Sequence, residues 1–289
     1  MFKFLSIHNI IEVLEAILLE SKIFFVSDSK AVLGYAIEAF LSFIFPLRWV
    51  HVIISLLPEQ QLELVEAPMT TIFGINACQA ERIEKSVEGF YVYLDGNRVA
   101  DMREEKMPKI PKTLRCGLIK KLSIFEVYDE VDARDYLKNP EDMSLFKTQK
   151  TEDPHFDAYT VRNVFLELMI ALMKDYSLHF IEEPHQRDDD QRKSFKKFYD
   201  IDGLKKAHKG QKFLCEFFEC TLFTEFVECK YSEPSNKWIK FFDRSCRKFF
   251  QLSKRKLIQE ESDYVESEEE YVEEKPYKGC LGLISMFSR

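Results

Sequence analysis

Residues 39–58, AFLSFIFPLRWVHVIISLLP, form the most apolar stretch of the chain, yet Pro46 interrupts it and Arg48, Trp49 and His51 stand at its centre. A bilayer-spanning helix needs about 20 apolar residues in succession. An arginine near the midplane costs roughly 2.5–3.5 kcal/mol on insertion scales. The stretch is therefore read as a helix ended by Pro46, because a proline pushes its preceding residue out of helical geometry. A buried strand then runs from about Trp49 to Leu57. This choice turns the chain from a membrane protein into a globular one.

The flanking sequence repeats the same alternation. Ile7, Ile10, Ile11, Leu14, Ile17 and Leu18 recur at helical spacing, which predicts an amphipathic helix over 7–20. KIFFVS (22–27) is a short apolar run of β-formers, read as a strand covered on both faces. Asp28 or Ser29 can cap the helix of 29–45. TTIFGI (70–75) and GFYVYL (89–94) read as further strands, with the helical stretches PEQQLELVE and ACQAERIEKS between strands. The last strand enters Asp95–Arg98, DGNR, a hairpin-type turn leading to VADM. Short apolar strands alternating with helices predict a three-layer α/β/α domain with a mostly parallel sheet.

Beyond residue 115 the strand-like runs fade. VRNVFLELMIALMKDY (161–176), KFLCEFFECTLFTEFVE (212–228) and KWIKFFDRSCRKFFQL (237–252) predict helices, with a polar connection EEPHQRDDDQRKSFK between the first two. The expected organisation is an α/β domain over 1–115, a connecting segment over 116–157, a helical domain over 158–252 and an acidic tail over 253–289. Within that tail, residues 260–274 carry nine acidic residues and are expected to be disordered.

Chemistry-bearing patterns are sparse. A net charge of −8 argues against nucleic acid, whose backbone demands a concentrated Lys/Arg surface. Seven scattered cysteines without a C-x-x-C pair favour reduced thiols over disulfides or zinc. Neither G-x-G-x-x-G nor G-x-x-x-x-G-K-[ST] occurs, so no cofactor is expected. His51 lacks a G-x-S-x-G or S-x-x-K companion, and a structural histidine is favoured over a general base. A surface that binds, with no covalent chemistry, is the reading left.

The blocks LSIHNIIEVLEAILLESKIFFVSDS, FPLRWVHVIISLLPEQQLELVEAPMTTIFGI and GFYVYLDGNRV, in that order and spacing over residues 4–100, resemble the central part of the DENN domain. Residues 161–228 resemble its downstream helical part. The motif positions are Trp49, His51, Pro58, Pro68 and Gly74, assigned to packing and strand anchoring. The resemblance implies a guanine-nucleotide exchange factor for a Rab-type small GTPase in vesicle traffic, cytoplasmic and recruited to vesicle or endosomal membranes. It equally admits a scaffold that binds a GTPase or trafficking protein without exchange. Such modules begin with a longin-like lobe, whereas this sequence opens at the central helix. A lost lobe, a truncated chain and a longin-lobe protein acting in trans are the three alternatives. Asp95, Asn97 and Arg98 are the expected partner contacts, because turns beside strands carry recognition residues.

Overall fold

The computed structural model describes residues 1–125, 158–182, 194–249 and 251. Helix α1 (Ile7–Leu18) starts at Ser6, whose hydroxyl accepts a hydrogen bond from the Asn9 amide at 3.4 Å. Strand β1 (Ile23–Val26) follows, then helix α2 (Lys30–Phe43), capped by Ser29 rather than Asp28. The Ser29 hydroxyl accepts from the Val32 amide. Helix α2 ends ahead of Pro46, as expected, and the Phe45–Pro46 peptide bond is cis. Next come β2 (Val52–Ile54), a 3-10 segment over Glu59–Glu66, β3 (Thr71–Ile75), α3 (Ala77–Ile83), β4 (Phe90–Tyr93) and β5 (Arg98–Asp101).

The strands form one sheet in the order β2-β3-β1-β4-β5, parallel except for the antiparallel β4–β5 pair. Every residue of the central strand IFFV is buried, because both faces of a parallel sheet are covered. The strand period of two then divides its side chains between two cores. Phe24, Val26, Phe73, Ile75 and Tyr91 pack with Leu57, Val65, Ala80, Ile83 and Val87 beneath the 3-10 segment and α3. Ile23, Phe25, Ile72, Phe90 and Val92 pack against α1 and α2, in a core that runs on into the helical half. The layers are those the sequence predicts.

One expectation needs correction. The apolar run from Trp49 to Leu57 is not a buried strand: it pairs only over Val52–Ile54, at the sheet edge, with Val52 45% and Ile53 38% exposed. Only Leu57 at its end is buried. The run is apolar enough for a central strand, but it has a neighbour on one side only.

Among the described residues the helical half contains α4 (Lys112–Leu122), α5 (Ala158–Leu172), α6 (Phe195–Phe198), α7 (Ile201–Ala207), α8 (Lys212–Phe217), α9 (Thr221–Ser232) and α10, helical over 237–249. Helix α4 spans the expected junction at 115 and packs on α1 and α5. The run 212–228 is two helices, because Cys220 is extended (φ −66, ψ 147) and serves as N-cap of α9. The short α6 and α7 were not expected. Asp200 starts α7 by accepting from the Gly203 amide at 2.8 Å. The acidic run 260–274 and most of the polar connection after residue 182 lie outside the described residues. Among the described residues no helix is long and apolar enough to cross a membrane.

Candidate functional site

The carboxyl ends of β1, β3 and β4 converge at one rim of the sheet, and the turn Asp95–Arg98 sits there. Leu94–Gly96 make a single 3-10 turn, and Asn97 follows in the left-handed conformation (φ 46, ψ 43). Asparagine tolerates that geometry better than most residues because its short amide bonds locally. The antiparallel β5 then starts at Arg98 with Tyr93 as its partner.

Each expected contact residue is tied to a different element. Asp95 Oδ2 accepts the Asp28 amide at 2.8 Å, joining the turn to the β1–α2 loop. Burial pushes the Asp95 carboxyl above its usual range, opposed by the Ser27 hydroxyl and the Asp28 amide. Its other oxygen is enclosed without a well-formed hydrogen bond. Asn97 Oδ1 accepts from the Ser6 amide at 2.7 Å and from Asn9 Nδ2 at 2.8 Å, and the Asn97 carbonyl accepts from Asn9 Nδ2 at 2.7 Å. It therefore fixes the first turn of α1. The Arg98 guanidinium lies 3.7 Å from the centre of the Tyr93 ring and 3.4 Å from Glu84, the C-cap of α3. Burial first, and then the Glu84 carboxylate, push the Tyr93 phenol up to about 12.

Asp28 closes the rim from the other side, where its Oδ1 accepts the Ala77 amide at 3.4 Å. Asn76 and Gln79 start α3 with a reciprocal capping box. Gly96 and Arg98 remain exposed. The rim is thus a stiff, polar edge whose loops hold one another, with backbone and one cation presented outward.

The motif residues lie elsewhere. Trp49 stands edge-on to His51, ring centres 5.3 Å apart, and its indole N–H points at the Val52 carbonyl at 3.5 Å. His51 Nε2 lies 3.1 Å from Glu20 Oε1. The same Glu20 oxygen accepts the Leu222 amide at the start of α9, at 2.6 Å. Glu20 itself has φ 51, and its carbonyl accepts from the Thr70 hydroxyl at 3.0 Å. Pro58 precedes the 3-10 segment and Pro68 is exposed in the loop before β3. At Gly74 a Cβ would lie 2.0 Å from the Ser55 carbonyl oxygen, so only glycine lets β2 and β3 approach this closely.

Sequence reasoning singled out neither of two carboxylates that the fold draws inward. Glu15 is fully buried and bonded to the Ile110 amide at 3.0 Å and to Arg115 at 3.2 Å, with Lys109 at 3.3 Å. Its burial pushes the carboxyl upward, against the pull of the two cations. Its position on the apolar stripe, one residue after Leu14 and three before Leu18, was the available signal. Glu20 gave none, because its partners lie 31 and 202 residues away.

The model of the DENN (AEX-3) domain family matches residues 1–97. A DENN domain-containing protein of Schizosaccharomyces pombe is 40% identical over 74 residues, 26% of this chain and 8% of that protein. The Elicitor of plant defense protein 1 of Fusarium odoratissimum is 31% identical over 124 residues, 43% of this chain and 13% of that protein. DENN domain-containing protein 2C of the mouse is 24% identical over 230 residues, reaching 79% of this chain and 23% of that protein. The chain spans less than a quarter of the length of these relatives.

Proposed function

We propose that this chain, whose residues 1–97 match the DENN (AEX-3) domain family, is a guanine-nucleotide exchange factor for a Rab-type small GTPase in vesicle transport. The observation that carries the reading is the extent of the likeness. It begins in the family's own segment and, in the mouse relative, continues over 79% of the chain and hence into the helical half. Exchange needs no covalent step. The factor prefers a GTPase whose switch regions are displaced, and that differential affinity offsets part of the nucleotide's hold. A pre-formed surface suffices, and the rim supports this reading: Asp95 and Asn97 shape the turn through intrachain bonds, while Gly96 and Arg98 are exposed. The setting is cytoplasmic, with recruitment to vesicle or endosomal membranes. The test is release of labelled GDP from a panel of Rab proteins, with and without a longin-lobe protein added. Accelerated release from at least one Rab is expected; no acceleration anywhere on the panel overturns the reading.

The second reading is a scaffold that binds a GTPase or trafficking protein and leaves its nucleotide in place. It is supported by the same match over residues 1–97, since a surface that holds a GTPase need not displace its switch regions. A Rab retained on the immobilised chain in both nucleotide states, with unchanged release, selects it.

A further inference from the structure

Helix α10 has a division of its residues that neither the fold nor the proposed exchange surface uses. Ile239 and Phe242 are buried, and Cys246 and Phe249 pack against the same core. On the opposite side Lys237, Lys240, Arg244, Arg247 and Lys248 are all exposed, at the three- and four-residue spacing that gathers them into one helical face. Among the described residues none of the five has an ion pair or a side-chain hydrogen bond. The helix's single acid, Asp243, stands off that face, bonded to Lys230 and to the Tyr176 hydroxyl. A stripe of five unpaired cations is out of keeping with a chain of net charge −8.

Aromatic groups adjoin the stripe. Phe241 is 51% exposed within the basic face and meets the half-buried Phe45 edge-on at 5.8 Å. The exposed Arg48 lies over the Trp238 ring at 4.8 Å. The row of cations from Lys237 to Lys248 is about 17 Å long, at roughly 1.5 Å per residue over eleven residue steps. It matches a flat anionic surface, and an exposed phenylalanine among cations suits the boundary between headgroups and acyl chains.

We propose that the basic face of α10, with Phe241 and Arg48, is a docking surface for an anionic lipid bilayer. It deepens the membrane recruitment in the proposed function but does not depend on exchange, which is measured in solution without vesicles. The negative remainder of the chain turns this face toward the bilayer as the molecule approaches.

The test is co-sedimentation of the full 289-residue chain with vesicles of phosphatidylcholine alone or with about 30% phosphatidylserine. Each cation held at an anionic surface raises affinity about fivefold, so Lys240→Glu combined with Arg244→Glu weakens phosphatidylserine binding at least about 25-fold. Phe241→Ser gives a smaller loss. Binding falls as salt shortens the Debye length from about 10 Å to a few ångströms. Lys196→Glu combined with Lys197→Glu, at exposed lysines on α6, leaves binding within about threefold, and circular dichroism confirms that all variants are folded. Equal binding to neutral vesicles, equal loss in the two double variants, or no vesicle binding alongside capture of soluble polyglutamate each overturn the proposal. The last of these assigns the stripe to an acidic peptide.

Discussion

The two edges of the sheet are finished in opposite ways. At one edge β5 reads RVAD: its ends are charged, and it is antiparallel to β4. Arg103 just beyond it reaches back to Asp101 at 2.7 Å and to the Ser21 hydroxyl at 3.0 Å. At the other edge β2 reads VII, parallel to β3, with Val52 and Ile53 largely open. Charged edges discourage pairing with another chain, whereas a short apolar edge relies on its brevity. The polar edge is held by side chains, and the apolar edge by how closely its backbone approaches β3. These two means of attachment should fail differently when altered.

The largest effect is expected at the apolar edge. Gly74→Val forces a side chain onto the Ser55 carbonyl; overpacking of this kind costs about 1–3 kcal/mol and more where backbone must move. Denaturant unfolding should show a loss of at least about 3 kcal/mol, and a loss under 1 kcal/mol would mean that the edge yields freely.

At the polar edge, Asn97→Ala removes the acceptor for Ser6 and Asn9 and leaves alanine in the left-handed region. About 2–3 kcal/mol should be lost, from hydrogen bonds worth about 1 kcal/mol each plus backbone strain. Asn97→Gly should recover the strain component alone. Equal losses in the two variants would place the whole contribution in the side-chain bonds.

A pH titration sharpens the same edge. Burial in the folded chain pushes the Tyr93 phenol up to about 12 from an ordinary value of 10.0. Its neutral form is favoured by folding, so its contribution is complete below pH 10 and is lost as the pH climbs toward 12. Tyr93→Phe should flatten that alkaline decline; an unchanged slope would show that other buried tyrosines account for it.

The smallest effect belongs to Val52→Lys, which replaces a 45%-exposed side chain on the open edge. Stability should change by no more than about 0.5 kcal/mol, as for other exposed positions. Self-association at high concentration, read by light scattering, should not increase.

Much of the fold was legible because it follows local periodicity. Ile7 to Leu18 show the helical stripe, IFFV the doubly covered strand, and Ser29 and Pro46 the bounds of α2. The candidate site was legible as a turn but not as a knot. DGNR announces a change of direction, whereas the bonds of Asp95 to Asp28 and of Asn97 to Ser6 join residues 67 and 91 positions apart. The burial of β2 was misjudged for a related reason: apolar composition shows that a strand can be covered, and strand order decides whether it is.

The sequence alone determined the type and limits of most elements, the two-part organisation and the family likeness, because these depend on neighbours within a few residues. Only the tertiary structure decided that WVHVIISLL lies at an edge, that Glu15 and Glu20 face inward to cations, a histidine and a helix amide, and that five cations of α10 share one open face. Each of those depends on which distant segment arrives alongside. Burial and charge pairing are properties of the assembled surface, to which a residue's own identity contributes one side.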